Sequence, residues 1–350
     1  MAIKHKKKII CILLLLATLG ITQQKNSDKI IYLKGSPEEM GKQHALFAAK
    51  EIKLMISEYI GNEIIDGKLK KSSQTHITTM KESLPKWFLD ELNACATATG
   101  IDPDVLLYAQ CEGDIKSLPG CTTYVAFGSA THDGAVQFGR NFDYYGLDST
   151  KECARIFVMK PSGKGNHSFI SIGWTGILGG WTFYNDKGLF VANNLGGFNK
   201  KDPKGIPTLI MLRIIAQKAA TVEEGIALIK KYPRMRGQAI IIGHIGDPEK
   251  GIKPSASVVL YDAEKVVVKP AVDGFAFHSS VGTDKDELLK TVKANKKIVC
   301  DSIKAAGNDI TLHSVAINPA KNKLWVAHGT RFGSHKNNYI SFDIKKLLNN

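Results

Sequence analysis

The chain has few of the features that identify a protein quickly. After the first twenty-odd residues, no segment approaches the roughly 20 apolar residues needed to span a bilayer, so no stable membrane anchor is expected. There is no CxxC pair, which argues against zinc-ribbon and thioredoxin-like motifs. The ten histidines include no HxH or HxxxH pair, and no metal is expected. Neither GxxxxGK[ST] nor GxGxxG falls on a strand–helix turn, so no nucleotide cofactor is expected either. Repeats and low-complexity runs are absent. Acidic residues are in the minority, 33 against 47 Lys and Arg, giving a formal net charge of +14. Such an excess draws a protein toward anionic surfaces. However, the paired lysines (Lys70-Lys71, Lys200-Lys201, Lys230-Lys231) are scattered and no nucleic-acid motif accompanies them. A basic surface-binding protein is therefore the weaker of the readings kept below.

Hydrophobic residues make up 43% of the 350 and charged residues 23%, the balance of a globular chain. A basic run, Lys4 to Lys8, leads into an apolar stretch from Ile9 to Ile21, with Thr18 and Gly20 near its end. This is the order of a cleaved secretory signal over residues 1–21, and it predicts an exported, periplasmic or extracellular protein. Cys11 lies inside that segment, which leaves Cys95, Cys111, Cys121, Cys153 and Cys300. An odd cysteine in an exported protein suggests a free, reactive thiol. Which one it is, and whether the others pair, stays open at this stage.

Residues 28–120 read as helical. Ser36-Pro37-Glu38-Glu39 opens a helix with a cap, a proline and a capping box. A second helix is expected over Thr75–Ala98 and a third from Asp102-Pro103. From Cys121 to residue 350, short β-prone runs alternate with turns, and helices are expected over Thr208–Ala220, Val222–Lys231 and Asp286–Ala305. The pattern predicts an α+β protein with two sheets between helical layers, 28–120 and 121–350 forming one domain.

Three stretches carry chemistry. In Leu118-Pro119-Gly120-Cys121, a turn places a cysteine at a strand start behind an unhindered glycine carbonyl. The thiol can attack that carbonyl, pass through a thioester and leave Cys121 with a free α-amine of pKa about 7.7–8.0, able to act as general base. By itself, Gly-Cys before a strand is weak evidence and fits a buried structural cysteine better. Next comes Gly139-Arg140-Asn141-Phe142-Asp143, which a hairpin returns to the side of Cys121. There Arg140 can lower the thiol pKa or bind a carboxylate, and Asp143 can accept from the α-ammonium. The third stretch runs from the turn Asn185-Asp186-Lys187-Gly188 into a strand ending at Asn193-Asn194, whose amides can donate to an oxyanion.

This order of Gly-Cys, GRNFD, turn, strand and Asn resembles the N-terminal nucleophile (Ntn) hydrolases. It is most similar to the isopenicillin-N acyltransferase family and more distantly to the choloylglycine hydrolases. Leu33 to Gly41, Gly205-Ile206-Pro207, Gly237 to Gly243 and Thr311 to Val315 add to the likeness. The resemblance implies a four-layer α-β-β-α sandwich, self-cleaved between Gly120 and Cys121 into α and β chains that stay together. It makes Cys121 the nucleophile, with Asp143 orienting its amine, Arg140 beside it and Asn194 as the amide after the strand. Where the family usually carries a His-Thr-Asn segment for the oxyanion hole, this chain has His278-Ser279-Ser280. Either Ser280 or a backbone N–H takes that role, or activity is weak. The expected activity is a thioester-forming amidohydrolase or acyltransferase acting on a small-molecule linear amide, with no cofactor and no nucleic acid. The alternative is a weakened member that binds its ligand. Trp174, Trp181, Phe183 and Phe198, near the site in sequence, suggest an apolar or aromatic acyl group.

Overall fold

The computed structural model describes residues 29–116, 120–295 and 300–350. The signal segment and Leu118-Pro119 of the junction lie outside these.

Two antiparallel-rich sheets form the centre. The six-stranded sheet is built around Cys121–Gly128 and Gly134–Asp143, flanked by Phe275–Ser279 on one side and Thr311–Asn318 on the other. The eight-stranded sheet runs from Ile30–Gly35 through Ala154–Pro161 and Leu189–Asn194 to Val266–Pro270. Their inner faces interdigitate through Val125, Phe138, Ile156, Phe190, Ile241 and Val315. Phe138 stacks on Phe190 with ring centroids 4.9 Å apart. On the outer face of the eight-stranded sheet, Ile52, Phe88, Leu107 and Ile210 of four helices cover Phe157, Phe183 and Ile240. Leu288, Val292 and Ile303 cover the outer face of the six-stranded sheet. The layers are therefore helix, sheet, sheet, helix, the expected α-β-β-α order, with each sheet burying apolar residues on both faces.

The N-terminal half departs from the all-helical expectation. Ile30–Gly35 is a strand, paired in parallel with Ala154–Pro161, its β-branched start overriding the helical reading of the surroundings. The following helix, Pro37–Tyr59, carries the expected capping box: Glu39 N donates to Ser36 Oγ at 3.2 Å and Ser36 N to Glu39 Oε2 at 2.6 Å. The single helix expected over Thr75–Ala98 is two, Lys71–Met80 and Lys86–Thr99. Pro85 separates them, because the residue before a proline is pushed out of helical conformation and proline has no N–H to continue the ladder. The helix expected over Asp286–Ala305 ends at Ala294, where Asn295 turns to extended backbone, and Cys300–Ala305 is helical again. Also not anticipated are the short strands Ile64–Ile65 and Lys68–Leu69, the helix Ser149–Glu152, the strand Thr182–Asn185 and the final helix Ile344–Asn349.

Candidate active site

Cys121 is the first residue of its strand, at the end of the sandwich. The hairpin pairs Cys121 with Phe142 and Thr123 with Arg140, so GRNFD returns to the thiol. Residues two apart share a sheet face, which puts Cys121, Thr123, Arg140 and Phe142 on one face and Asn141 on the other. Gly139 permits the close pairing. A Cβ there would lie 2.1 Å from Tyr124 Cε1.

Arg140 is fully buried and donates from Nη2 to Cys121 Sγ at 3.3 Å. Its Nη1 donates to Thr123 Oγ1 at 2.9 Å and to the Asn193 carbonyl. Burial pushes the Cys121 thiol up, and the Arg140 guanidinium opposes that shift. Asp143 is buried as well. Its Oδ1 accepts from Thr311 Oγ1 at 2.6 Å, while Oδ2 has no partner. Burial raises its carboxyl against the lowering by Thr311.

The Gly120–Cys121 peptide is held on both sides. Asp143 N donates to the Gly120 carbonyl at 3.1 Å. Cys121 N, which stands in for the α-amine of a cleaved chain, donates to Ser280 Oγ at 2.9 Å. Ser280 N donates to the Cys121 carbonyl at 3.0 Å. Gly120 is packed so closely that a Cβ would meet Val281 Cγ1 at 2.3 Å and Ser280 Oγ at 2.8 Å. Space is thus one reason for glycine at this position.

Beside the thiol lies a cavity of about 30 Å3, room for a water or two, lined by Cys121, Asp143, Asn193, Gln238, Asp114 and Thr208 among others. Tyr59, Phe142, Tyr144 and Trp181 are shared with an adjoining apolar pocket that reaches Met55 and Trp174.

The other residues singled out from sequence fall in different places. Asn194 is buried beneath the site, its Oδ1 accepting from Thr123 Oγ1 at 3.1 Å and its Nδ2 without a partner. Asn193 faces the cavity itself. Asn141 points to the outer helical layer, donating to the Ile303 carbonyl at 2.8 Å and accepting from Ser314. His278 donates from Nε2 to the Leu195 carbonyl at 2.9 Å and, kept neutral by burial, anchors the turn after Asn194. Of the four aromatics, Trp174 and Trp181 line the pocket. Phe183 packs edge-on to Phe169 in the core, and Phe198 lies under Lys265. The described cysteines are all buried and unpaired. Only Cys121 among them has a guanidinium within hydrogen-bond reach of its sulfur. Among the described residues, no cluster of His, Cys, Asp and Glu is suited to a metal. Sequence reading missed Asp114, Thr208 and Gln238, which only the tertiary fold brings to the thiol.

Residues 129–248 match the family model described as acyl-coenzyme A:6-aminopenicillanic acid acyl-transferase, a stretch that contains Arg140, Asp143, Asn193 and Asn194. This agrees with the resemblance read from the motifs. An uncharacterized protein of Archaeoglobus fulgidus is 23% identical, the match covering 92% of this chain and 57% of that one. The chain spans about half the length, or less, of the curated relatives it matches. Among solved structures, a Caenorhabditis elegans ortholog of N-acylethanolamine-hydrolyzing acid amidase is 17% identical, with 57% of this chain and 93% of that one covered and a TM-score of 0.44. Penicillin V acylase from Agrobacterium tumefaciens is 12% identical, with 65% and 87% covered and a TM-score of 0.43.

Proposed function

We propose that this chain is an exported, self-processing cysteine amidohydrolase, cleaved between Gly120 and Cys121, that hydrolyses a linear amide through a thioester. The observation that carries the reading is the set of partners around one peptide bond. Its carbonyl oxygen has a donor in Asp143 N, its nitrogen has an acceptor in Ser280 Oγ, and the adjacent thiol has Arg140.

In processing, Cys121 Sγ attacks the Gly120 carbonyl carbon and its proton passes to the departing nitrogen. Charge develops on the Gly120 oxygen, where a preorganised N–H is worth most. The C–N bond breaks to leave a thioester. Water then hydrolyses it, giving a Gly120 carboxylate, the free thiol and a free α-amine. In turnover that amine takes the thiol proton and Sγ attacks the substrate carbonyl. The amine then returns the proton to the leaving nitrogen, and a water, deprotonated by the amine, releases the acid. Asp143 Oδ2 is free to accept from the α-ammonium, and Ser280 Oγ keeps its hold on the same nitrogen. The amides of Asn193 and Gln238, which line the cavity, are side-chain donors on hand for the substrate oxyanion, whereas Asn194 Nδ2 is enclosed beneath it. Water is the proposed acceptor, because acyl-coenzyme A donors are not expected outside the cytoplasm. The apolar pocket of Tyr59, Tyr144, Trp174 and Trp181 has about 10 Å3 of free space, so it takes an apolar portion of the substrate only once those rings move apart.

The test is the intact mass of purified protein beside a Cys121→Ala control. Two chains in the wild type, the second beginning at Cys121, with one chain in the variant, is the expected result. Processing that survives in Cys121→Ala sinks the reading. A second reading, a ligand-binding member with little turnover, rests on the serine at 280. Cys121-dependent cleavage of a chromogenic amide panel by processed protein excludes it.

A further inference from the structure

The cavity wall beside the thiol has an uneven charge. Among its described lining residues are two carboxylates, Asp114 and Asp143, and no Lys, Arg or His. Asp143 has work at the Cys121 amine in the reading above, but Asp114 has none. Its side chain is 5% exposed, at the C-terminal end of helix Pro103–Ile115. It accepts from Thr208 N at 2.9 Å and Thr208 Oγ1 at 2.6 Å, at the start of helix Thr208–Lys218. Among the described residues, no cation forms an ion pair with it. Arg236, the nearby guanidinium, donates instead to the carbonyls of Gly113 and Lys116, both at 3.1 Å. Each carboxylate oxygen keeps an unused lone pair.

A second acceptor points the same way. Asn193 lines the same cavity, is nine-tenths buried, and its Oδ1 has no partner. Its Nδ2 makes a long contact of 3.5 Å to Gln238 Oε1. A buried wall of unused acceptors with no cation suits a donor that carries positive charge, and it disfavours an anionic ligand.

We propose that Asp114, with Asn193, binds a primary ammonium on the substrate, so that the preferred amide carries an amine close to its scissile bond while its apolar part occupies the aromatic pocket. This rests on the amidohydrolase reading and specifies its substrate class. Burial raises the Asp114 carboxyl to about 6 against the hydrogen bonds from Thr208 and the field of Arg236, while Glu112 adds to the rise. Cys111 and Tyr261, the other titratable groups facing it, have their own pKa values pushed up and stay neutral near pH 7. Ammonium recognition therefore weakens as pH falls through about 6.

The experiment uses the full-length protein as purified. β-Alanyl p-nitroanilide is compared with butyryl p-nitroanilide, and N-(2-aminoethyl)phenylacetamide with N-propylphenylacetamide, so that the ammonium is tried on either side of the amide. In at least one pair the ammonium member is expected to lead in kcat/KM by tenfold or more, and that lead is expected to shrink as pH falls through about 6, beyond the acid limb both members share through the Cys121 amine. Asp114→Asn is expected to remove that lead, a loss of roughly 30-fold on the scale of truncating one partner of a buried charge pair, while leaving the isostere nearly unchanged. Equal rates within both pairs overturn the proposal. So does an Asp114→Asn loss shared equally by both members, which is what a purely structural tie to Thr208 gives. Calorimetric binding of β-alaninamide against butyramide reads the same site without turnover. Ammonium-selective binding that Asp114→Asn abolishes upholds the site even if no amide is cleaved, and a failure of cleavage alone then falls on the amidohydrolase reading.

Discussion

Two arginines are fully buried in this protein, and they are held in opposite ways. Arg213 is saturated. It meets Glu91 Oε2 at 2.9 Å, the Leu178 carbonyl at 2.8 Å and Gln217 Oε1 at 3.3 Å, and it lies over the Phe169 ring. Arg140 has a hydroxyl, a carbonyl and a sulfur for partners, and its Nε has none. No carboxylate among the described residues comes within ion-pair distance of it. A neutralised buried cation is scaffolding, fixing how the helices sit on the eight-stranded sheet. A buried cation without a counter-ion costs free energy at rest, and that cost is recovered only when a negative charge forms beside it. In the proposed reaction the thiolate of Cys121 is that charge.

The contrast can be broken from either side. Glu91→Leu strands Arg213 in the core, and a loss of about 3–5 kcal/mol of stability is expected. Chemical denaturation is the check, and Glu91→Leu combined with Arg213→Met is expected to recover much of the loss by removing the orphaned charge. A fully folded, undiminished Glu91→Leu protein would show that Arg213 needs no partner. Arg140→Met should behave in reverse. Stability is expected to hold or rise, because an unneutralised cation is gone. Amide cleavage is expected to fall about 10²-fold, comparable to losing one preorganised donor. The thiol, already raised by burial, loses the group that lowers it, so the acid limb of kcat/KM should move to higher pH. Unchanged pH dependence in Arg140→Met would assign Arg140 to packing alone.

The Arg140 half of this contrast was legible in the sequence, because it depends on local pattern, whereas Arg213 and its partner Glu91, 122 residues apart, were not singled out. The Gly-Cys junction and GRNFD lie on adjacent strands of one hairpin, and the two-residue period of a strand then decides which side chains meet. The same period explains the confusion between Asn193 and Asn194. Neighbours in sequence face opposite ways, and no local signal said which face would hold the cavity. The outer layers were read from caps and prolines. The strand Ile30–Gly35 was missed because its partner, Ala154–Pro161, is far along the chain. Asp114 was invisible for a related reason. It sits at an ordinary helix end, and its meaning comes from Thr208, 94 residues away. For the oxyanion role the sequence left Ser280, a backbone N–H or weak activity open, and the structure adds that the Ser280 hydroxyl lies against the nitrogen of Cys121.

The smallest expected effect concerns Asp143, the acidic counterpart to Arg140. Thr311 Oγ1 donates to Asp143 Oδ1 at 2.6 Å, and Oδ2 has no partner, as the proposed role at the Cys121 amine needs. Thr311 is fully buried, and valine fills nearly the same volume, so Thr311→Val deletes this hydrogen bond, together with the one Thr311 Oγ1 accepts from Asn308 N at 3.0 Å, with little change in packing. A hydrogen bond to a charged acceptor contributes roughly 1.5–3 kcal/mol, and Asp143 N keeps its own bond to Gly120. Processing is therefore expected to slow by about tenfold rather than stop. Because Thr311 lowers the Asp143 carboxyl against burial, its loss lets that carboxyl rise further. The pH at which Asp143 takes up its proton moves up, and the variant should lose activity on acidification sooner than the wild type. A rate unchanged across that range would mean that Asp143 does not act as a carboxylate, and that the free donors around Arg140 carry the chemistry without an acidic partner.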